Sequence, residues 1–350
     1  MSAHSDDHDV RFITRKWAPA IGGMETYCLR LTQELGKTHR LDIIALPGRA
    51  DGAVPSVGAL IGFGVKTAIR LLFARPAKIV HLGDVAIWPL GWIASLRYPQ
   101  TRVILSAHGS DLNLATKNSL SGRFYAAYVK AGARLMRRSR LIANSEWIAS
   151  LASQLGFRHV TKVALATDIR SDTPAGLHND CLFFAGRITP SKGLSFIVNE
   201  VLPRMTSPPG IRVAGTIWDE EEAKTLDSPL VEYLGNLTPE KLIAEYGKAL
   251  AVVVPSLGKE GFGLVAAEAA ACGAVVIASD HSGLAEVVTP DIGFLADSNS
   301  PEQWTTVIEK VRSWSADRRA TFTAGSQAMA TTRYGWDRVA RETVEVYDKI

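Results

Sequence analysis

Short apolar, β-branched runs alternate with amphipathic stretches along the first half of the chain. Runs of this length predict buried strands, and the amphipathic stretches between them predict helices. Regular alternation of the two predicts a parallel sheet covered by helices. The predicted strands are residues 10–14, 41–46, 78–82, 102–107, 141–143 and 160–164.

A second series of the same kind follows, with predicted strands at residues 181–185, 211–214, 231–234, 251–255, 274–278 and 293–295. Residues 166–180 between the series are rich in Asp, Ser, Thr, Pro and Gly and show no helical or strand period, so they predict a linker. After Pro301 the pattern is helical and ends in an amphipathic stretch. We therefore predict an α/β protein of two Rossmann-like, doubly wound parallel-sheet domains.

The predicted domain boundaries follow from these two series. An amino-terminal domain is expected over residues 1–166, a linker over 167–180 and a carboxyl-terminal domain over 181–336, with the last helix, 337–350, packing back on the first domain. A chain of 350 residues, 47% apolar and 21% charged, is long enough for two cores and is globular in composition.

Several classes of protein are disfavoured by the same sequence. The first nine residues are polar and acidic, unlike a secretory signal peptide, so we expect a cytoplasmic protein. The longest apolar runs, 60–73 and 85–96, are too short or too interrupted to span a bilayer. Cys28, Cys181 and Cys272 lie far apart, which predicts neither a disulfide framework nor a metal site.

The charge is distributed unevenly. Residues 1–170 contain 23 Lys and Arg against 11 Asp and Glu, a net charge of +12, whereas the remainder contains 16 against 24, a net charge of −8. Much of the excess lies on one predicted helical stretch with aromatic residues interleaved: Lys117, Arg123, Lys130, Arg134, Arg137, Arg138 and Arg140. A solvated face and peripheral contact with an anionic membrane both fit this pattern. Nucleic acid is disfavoured as a partner.

The richest segment for chemistry is residues 252–279, a predicted strand, glycine-bearing loop, helix and second strand. Gly261 and Gly263 let the backbone approach a ligand, and a helix beginning near Gly263 would present free N–H groups to an anion such as a diphosphate. Glu260 in the loop and Glu268 on the helix could accept hydrogen bonds from sugar and ribose hydroxyls. Taken alone, the two glutamates also fit a pair of solvated side chains.

Three further positions follow predicted strands. Arg187 and Lys192, in FFAGRITPSKG, could neutralise a leaving diphosphate, although exposed basic residues are common. Gly22 and Gly23 open the first helix, where a simple turn is the alternative. His108 follows the strand at 102–107, where it could line a cleft or serve as a capping or core histidine.

These motifs together resemble the retaining GT-B glycosyltransferases of family four, also described as glycosyl transferases group 1. The resemblance rests on E-x7-E, with Glu260, Gly261, Phe262, Gly263, Leu264 and Glu268, on G-R-x4-K-G, with Arg187 and Lys192, and on the G-G-x-E loop at Gly22 and Gly23.

The resemblance implies two domains facing a central cleft and a role for each motif. Glu260 would contact the donor sugar, the backbone after it the diphosphate, and Glu268 the ribose, while Arg187 and Lys192 would bind the donor phosphates. His108 would lie near the donor sugar. In YLGNL, Asn236 and Leu237 correspond to the backbone that touches the nucleobase, although an ordinary strand end fits them equally well.

Two features depart from the family pattern or fall outside it. The interdomain segment usually reads close to P-N-G-V-D, whereas residues 164–168 read ALATD, so the linker geometry is open. Asp7, His8 and Asp9 have the form of a metal-binding D-x-D, but their place in a polar terminal tail predicts a disordered segment instead. No metal and no cofactor are expected.

We therefore predict a retaining, metal-independent hexosyltransferase. It would move a sugar from a nucleotide-diphosphate donor to a glycan or lipid-linked acceptor, in cell-envelope, exopolysaccharide or lipopolysaccharide biosynthesis. Two alternatives share the fold: a nucleotide-sugar epimerase, which needs no acceptor, and a non-catalytic nucleotide-sugar-binding subunit. A periplasmic sugar-binding protein is disfavoured by the polar amino end.

Overall fold

A computed structural model describes residues 9–20, 22–49, 55–172 and 179–349. The chain divides into two compact units: unit 1 comprises Met1–Leu165 and Trp336–Ile350, and unit 2 comprises Ala166–Gly335. Each unit contains its own six-stranded sheet in which every pairing is parallel. The predicted fold class of two doubly wound parallel-sheet domains is confirmed.

Two sequence features fall partly outside the described ranges. Residues 173–178 of the predicted linker are not among them, and neither are Asp7 and His8 of the D-x-D triplet. The third member of the triplet, Asp9, directly precedes the first strand and pairs with the ammonium of Lys78 at 2.9 Å.

Unit 1 is built on strands β1 to β6 in the order β2-β1-β3-β4-β5-β6. The strands are β1 Val10–Thr14, β2 Leu41–Ala45, β3 Ile79–Leu82, β4 Arg102–Ala107, β5 Arg140–Ala143 and β6 His159–Lys162. The helices are α1 Gly23–Leu35, α2 Val57–Phe73, α3 Trp88–Arg97, α4 Ser110–Asn113, α5 Leu120–Leu135, α6 Glu146–Gln154 and, from the end of the chain, α14 Trp336–Asp348.

Three helices of unit 1 have a serine as their N-cap residue. The hydroxyls of Ser56, Ser119 and Ser145 each accept a hydrogen bond from the amide three residues further on, at 3.1–3.2 Å. Such caps satisfy an amide that no helix carbonyl can reach. The first residues of α2, α5 and α6 are thereby fixed.

The two faces of the unit 1 sheet are covered differently. Apolar side chains of α2, α3, α5 and α6, such as Leu71, Trp88 and Val129, form one continuous core with the strands. On α14 and α1, Tyr347 and Tyr27 are buried and belong to a polar network that includes β3 and β4. The hydroxyl of Tyr347 shares a 2.6 Å hydrogen bond with Nδ1 of buried His81, whose Nε2 lies 2.8 Å from Ser106 Oγ, and Ser106 lies 2.9 Å from the Tyr27 hydroxyl.

Unit 2 repeats the arrangement with strands in the order β12-β11-β10-β7-β8-β9. They are β7 Cys181–Ala185, β8 Gly210–Ala214, β9 Val231–Gly235, β10 Ala251–Val254, β11 Val276–Ser279 and β12 Gly293–Ala296. Helix α7, Leu194–Phe196, continues as a π-helical segment, Ile197–Val201, and a 3-10 turn, Leu202–Arg204. The other helices are α8 Glu220–Ala223, α9 Pro239–Lys248, α10 Leu264–Ala271, α11 Leu284–Val287, α12 Pro301–Arg312 and α13 Ala316–Arg333.

Helix α10 owes its deep position in unit 2 to small side chains. Ala266, Ala267, Ala269, Ala270 and Ala271 are all buried to 1% exposure or less. A helix with no side chain larger than a methyl group at these positions can approach the central strands closely. The start of α10 is thereby held at the carboxyl ends of β10 and β11.

One predicted element has the wrong extent. The basic stretch from Lys117 to Arg140 is not one helix, because Ser119 caps the start of α5 and the helix ends at Leu135. Lys117 precedes α5, Arg137 and Arg138 lie in the turn after it, and Arg140 is the first residue of β5. The predicted strands match the twelve observed strands, with ends shifted by two residues at most.

No helix in the described ranges has both the length and the apolarity needed to cross a bilayer.

The His81 network should stabilise unit 1. Tyr347→Phe leaves Nδ1 of a fully buried imidazole without its partner, which costs about 1–3 kcal/mol. We expect a fall in Tm of roughly 2–4 °C per kcal/mol, measured by thermal denaturation. Tyr125→Phe, which removes the hydroxyl of a half-buried tyrosine on α5, is the matched control and should leave Tm nearly unchanged. Equal Tm values for the two variants would contradict the role of the network.

Candidate active site

The two motif loops of unit 2 are in direct contact at the carboxyl edge of its sheet. The carbonyl of Ser191 accepts hydrogen bonds from the amides of Leu257, at 3.0 Å, and Gly258, at 2.9 Å. Gly193 has a left-handed φ of 72°, and a Cβ on it would lie 2.1 Å from the carbonyl oxygen of Pro255. Only glycine permits this approach. The loop after β7 and the loop after β10 therefore form one surface.

Lys192 and Glu260 form an ion pair across that contact. Lys192 Nζ lies 2.5 Å from Glu260 Oε1, and the hydroxyl of buried Ser256 donates to the same oxygen at 2.6 Å. Burial alone raises the pKa of Glu260, but the charge of Lys192 and the hydrogen bonds from Lys192 and Ser256 outweigh it, and the net pKa is lowered. Glu260 is therefore an ionised carboxylate whose Oε1 is already engaged.

A third loop, which follows β11, supports the backbone of Glu260. Ser282 Oγ accepts from the Glu260 amide at 3.0 Å, and the Gly283 amide donates to the Glu260 carbonyl at 3.0 Å. His281 Nε2 donates to the Ser256 carbonyl at 2.8 Å. Ser282 has a φ of 53°, unusual for a residue with a side chain. None of the supporting residues His281, Ser282 and Gly283 was predicted as a site residue from the sequence.

The start of α10 lies beside the ion pair. Gly263, with a φ of 102°, precedes the helix, and its carbonyl accepts from the amides of Ala266 and Ala267, so the amides of Leu264 and Val265 before them have no helix carbonyl to bind. Lys192, Ser256, Glu260, Gly263 and Leu264 line a hollow of about 90 Å³. This volume is sufficient for a phosphoryl group. The free amides and the lysine make the hollow suitable for an anion.

Gly261 and Phe262 connect Glu260 to this helix. The ring of Phe262 is buried and packs edge-on against Tyr334, with ring centroids 5.7 Å apart. A Cβ on Gly283 would lie 2.6 Å from the carbonyl oxygen of Gly261. The side chain of Phe262 thus anchors the loop, and its backbone is the part that a ligand could contact.

Glu268 lies on α10 in a different environment from Glu260. Its Oε2 accepts a 3.1 Å hydrogen bond from the hydroxyl of fully buried Tyr246. Burial raises the pKa of Glu268 to about 7, and the Tyr246 hydrogen bond offsets only part of this rise. The two motif carboxylates therefore differ near neutral pH: Glu260 is ionised, whereas Glu268 titrates in this range.

Arg187, Asn236 and Leu237 lie on neighbouring loops of the same sheet edge. The exposed guanidinium of Arg187 lies over the ring of Trp218, 4.9 Å from its centroid. Thr216 Oγ1 donates to Asn236 Oδ1 at 2.9 Å, and Leu237 is half-buried. The charge of Arg187 contributes to the lowered pKa of Glu260, which indicates that the two side chains act on the same region.

Gly22, Gly23 and His108 belong to unit 1. Gly23 begins α1, and a Cβ on Gly22 would lie 2.5 Å from Oε2 of Glu25, so a side chain there would displace Glu25. Glu25 pairs with Lys16 at 3.3 Å. A side chain at Gly22 could be accommodated only if the Glu25 carboxylate moved, and the helix-opening amides lie at the carboxyl edge of the unit 1 sheet.

His108 follows β4 and is held in one tautomer. Its Nε2 lies 3.1 Å from the carbonyl of Gly83, which can only accept, so Nε2 carries the proton. Burial lowers the pKa of His108, and the carboxylates of Asp111 and Asp84 oppose this only in part. Nδ1 is buried and has no hydrogen-bond partner within the described residues. His108 is therefore a neutral imidazole with an unused acceptor.

The predicted site residues thus fall into two groups. In unit 2, Lys192, Glu260, Gly263 and Leu264 surround one hollow, Gly261 and Phe262 adjoin it, Arg187, Asn236 and Leu237 follow along the edge, and Glu268 lies within α10. In unit 1, His108 contacts α1 through Tyr27, whose ring centroid is 4.5 Å away. The polar partners Ser256, Tyr246, His281, Ser282 and Trp218 were not identified from the sequence.

The two parallel-sheet units have the GT-B fold. The chain is similar to Anabaena HepE in complex with UDP, with a TM-score of 0.74, 18% identity and coverage of 98% of this chain and 100% of that one. It is also similar to sucrose-phosphate synthase from Thermosynechococcus elongatus, with a TM-score of 0.77, 17% identity and coverage of 97% and 98%.

Sequence comparison identifies the family. The model named Glycosyltransferase Family 4 matches residues 21–165, and the model named Glycosyl transferases group 1 matches residues 179–313. The chain therefore belongs to the family 4, group 1 glycosyltransferases. It is 33% identical over 196 residues to the D-inositol 3-phosphate glycosyltransferase of Xylanimonas cellulosilytica, covering 52% of this chain and 45% of that relative.

The raised pKa of Glu268 predicts a pH-dependent stability. A carboxyl whose pKa rises from 4.5 to about 7 on folding binds more protons in the folded state between these values, so it lowers stability as pH increases through that range. Glu268→Gln removes this loss while keeping an acceptor for Tyr246. We expect its Tm to exceed that of the wild type at pH 8, with the difference shrinking toward pH 5.

Glu309→Gln, at an exposed position of α12, is the control for that comparison and should show no such trend. A Glu268→Gln difference that is the same at both pH values would mean that Glu268 titrates normally.

Proposed function

We propose that the chain transfers a sugar from a nucleotide-diphosphate donor to an acceptor hydroxyl with retention of anomeric configuration. The observation that carries this proposal is the hollow of unit 2, where Lys192, Glu260 and the first amides of α10 meet. An anion-binding helix start beside an ionised carboxylate suits a diphosphate joined to a polyhydroxyl group. Family membership supports the same chemistry.

The donor is assigned to unit 2. Lys192, Arg187 and the backbone of Gly261, Phe262, Gly263 and Leu264 bind its diphosphate. Glu260 accepts hydrogen bonds from the sugar through Oε2, Glu268 accepts from the ribose, and the chain at Asn236 and Leu237 contacts the nucleobase. In unit 1, taken by itself, the backbone amides at Gly22 and Gly23 are proposed to bind an anion or a sugar, and the unused Nδ1 of His108 to accept from a sugar hydroxyl.

The proposed reaction is a substitution on one face of the sugar. The bond from the anomeric carbon to the leaving phosphate oxygen breaks, and the bond to the acceptor oxygen forms on the same face. The acceptor proton passes to the leaving phosphate oxygen. Lys192 and Arg187 stabilise the charge that grows on the departing diphosphate. Glu260 is the only carboxylate among the described residues lining the hollow, which supports this route over one with an opposed pair of carboxylates.

The acceptor is proposed to be a glycan or lipid-linked saccharide of the cell envelope. The excess of Lys and Arg over residues 1–170 favours an anionic acceptor, and the matched relative is named for an inositol phosphate. The same charge favours peripheral contact of unit 1 with an anionic membrane at its cytoplasmic face, through the basic side chains of α5 and its flanking turns.

Turnover and stereochemistry test the catalytic assignment. A thermal-shift screen over UDP-, GDP-, ADP- and dTDP-sugars first identifies the donor. NMR of donor and acceptor mixtures then follows the product. Glu260→Gln and His108→Ala should each lower kcat by about 100-fold or more, with the anomeric configuration retained in the wild-type product. Glu309→Gln should retain full activity.

Three outcomes would count against the proposal. Normal turnover in both site variants would remove their roles, an inverted product would remove the front-face route, and conversion of the donor without acceptor would indicate an epimerase.

Metal independence is a separate expectation. Because Lys192, Arg187 and the α10 amides are proposed to neutralise the leaving diphosphate, turnover should be unchanged after treatment with EDTA and should not increase when Mg²⁺ or Mn²⁺ is added back. A loss of activity on chelation that a divalent ion restores would show that the cationic side chains are insufficient.

A further inference from the structure

A basic cavity lies at the amino edge of the unit 1 sheet, between the starts of β4 and β5. Its volume is about 560 Å³, and the ends of α3 and α5 close its sides. Five arginines line it: Arg102, Arg134, Arg137, Arg138 and Arg140. His108 follows the opposite end of β4, whose six residues span about 20 Å. Within unit 1, the cavity is thus separate from His108 and the carboxyl edge of the sheet.

The positive charge of the cavity is largely uncompensated. Among the described residues, Arg134, Arg137, Arg138 and Arg140 form no ion pair, and Arg102 donates to the Tyr347 carbonyl at 3.0 Å. No carboxylate is among the described residues that line the cavity. Between residues 55 and 140 the sequence contains only two carboxylates, Asp84 and Asp111, and both are buried. An arginine cluster without carboxylates favours a phosphate, because the guanidinium fork matches its geometry.

Helix α2 presents an apolar stripe toward solvent. Every fourth residue is apolar and exposed: Val57 by 72%, Ile61 by 62%, Val65 by 56%, Ile69 by 53% and Phe73 by 84%. Positions four apart lie on one face of a helix, so these side chains form a continuous ridge. A soluble protein rarely leaves such a ridge uncovered.

The ridge and the cavity adjoin through the end of α3. Arg97 Nε donates to the Leu72 carbonyl at 3.2 Å, and the Tyr98 hydroxyl donates to the Ala74 carbonyl, so the ends of α2 and α3 are in contact. Ser95 of α3, and Pro99 and Gln100 that follow the helix, line the cavity. Leu96 on α3 and Leu135 on α5 are exposed by 62% and 50%. Apolar side chains therefore surround the arginine cluster.

Exposed apolar side chains next to arginines fit the interfacial headgroup region of a bilayer, and not its hydrocarbon interior. With 17 residues, α2 is about 26 Å long and carries Lys66 and Arg70, so it suits a helix lying in the plane of the interface. Cations beside exposed apolar side chains meet phosphate headgroups and acyl chains together. A protein partner would need carboxylates to match the arginines, whereas an anionic phospholipid supplies both chemistries.

We propose that the side of unit 1 formed by α2, α3 and α5 binds an anionic phospholipid bilayer, with a headgroup phosphate in the arginine-lined cavity at its amino edge and the α2 ridge inserted among the acyl chains. The proposal rests on the membrane contact proposed above. It assigns that contact to a defined lipid site, and not to all the basic side chains of α5 and its flanking turns. It does not require glycosyl transfer.

Flotation of the full chain with vesicles tests the proposal. Wild type should float with phosphatidylcholine vesicles that contain phosphatidylglycerol and not with phosphatidylcholine alone. Arg134→Gln/Arg137→Gln and Ile69→Ser/Phe73→Ser should each reduce the bound fraction about tenfold or more. Lys117→Gln/Arg123→Gln removes the same charge at the other end of α5, and Leu120→Ser removes an exposed apolar side chain there; both should float like wild type.

Each other outcome overturns the lipid site. Equal losses from the cavity pair and the Lys117/Arg123 pair would leave only a diffuse basic surface. Equal flotation with neutral vesicles would remove the headgroup. If Ile69→Ser/Phe73→Ser instead converts a dimer to a monomer in light scattering, the ridge is a contact between copies. Donor binding by thermal shift, measured on the same variants, should remain unchanged and separates this result from a failure of the proposed transferase function.

Discussion

The candidate donor site depends on the close approach of two backbones, at Gly193 and Pro255. The hydrogen bonds from Leu257 and Gly258 to Ser191 hold the two loops in register, and the missing side chain of Gly193 lets them touch. Lys192, the preceding residue, can reach Glu260 because of this contact. A single glycine therefore determines whether the cation and the carboxylate of two distant motifs act at one place.

Environment, more than residue type, distinguishes the two motif glutamates. Glu260 lies beside Lys192 and Ser256 and keeps its charge, whereas Glu268 lies against Tyr246 with no cation close by and tends to hold its proton. The same contrast exists among the unit 1 residues, where burial keeps His108 neutral although carboxylates are near. Near neutral pH, the candidate site residues thus include one ionised carboxylate, Glu260, one carboxyl group that titrates, Glu268, and one neutral imidazole, His108.

Local patterns predicted the strands and motif loops well, because β-branched runs and glycines at strand ends act over a few residues. The partners Tyr246, His281 and Ser282 could not be predicted, since each contact spans a sequence separation set by the sheet order. The exposure of the α2 ridge could not be predicted either, because an apolar stripe normally predicts a buried helix face. Only the burial of Thr67 and Leu71 in the structure shows that the opposite face of α2 packs on the core. The start of α5 depended on a single serine cap.

The chain closes unit 1 with its last helix, and this arrangement has a consequence for biosynthesis. The strands and core helices of unit 2 form one continuous stretch, so this unit can complete its core while translation continues. Unit 1 lacks Tyr347 until the whole of unit 2 has been synthesised, and until then the imidazole of His81 has no phenol to pair with. The sheet synthesised first therefore completes its packing after unit 2, and a nascent chain stalled before Trp336 would expose that unfinished sheet to chaperones.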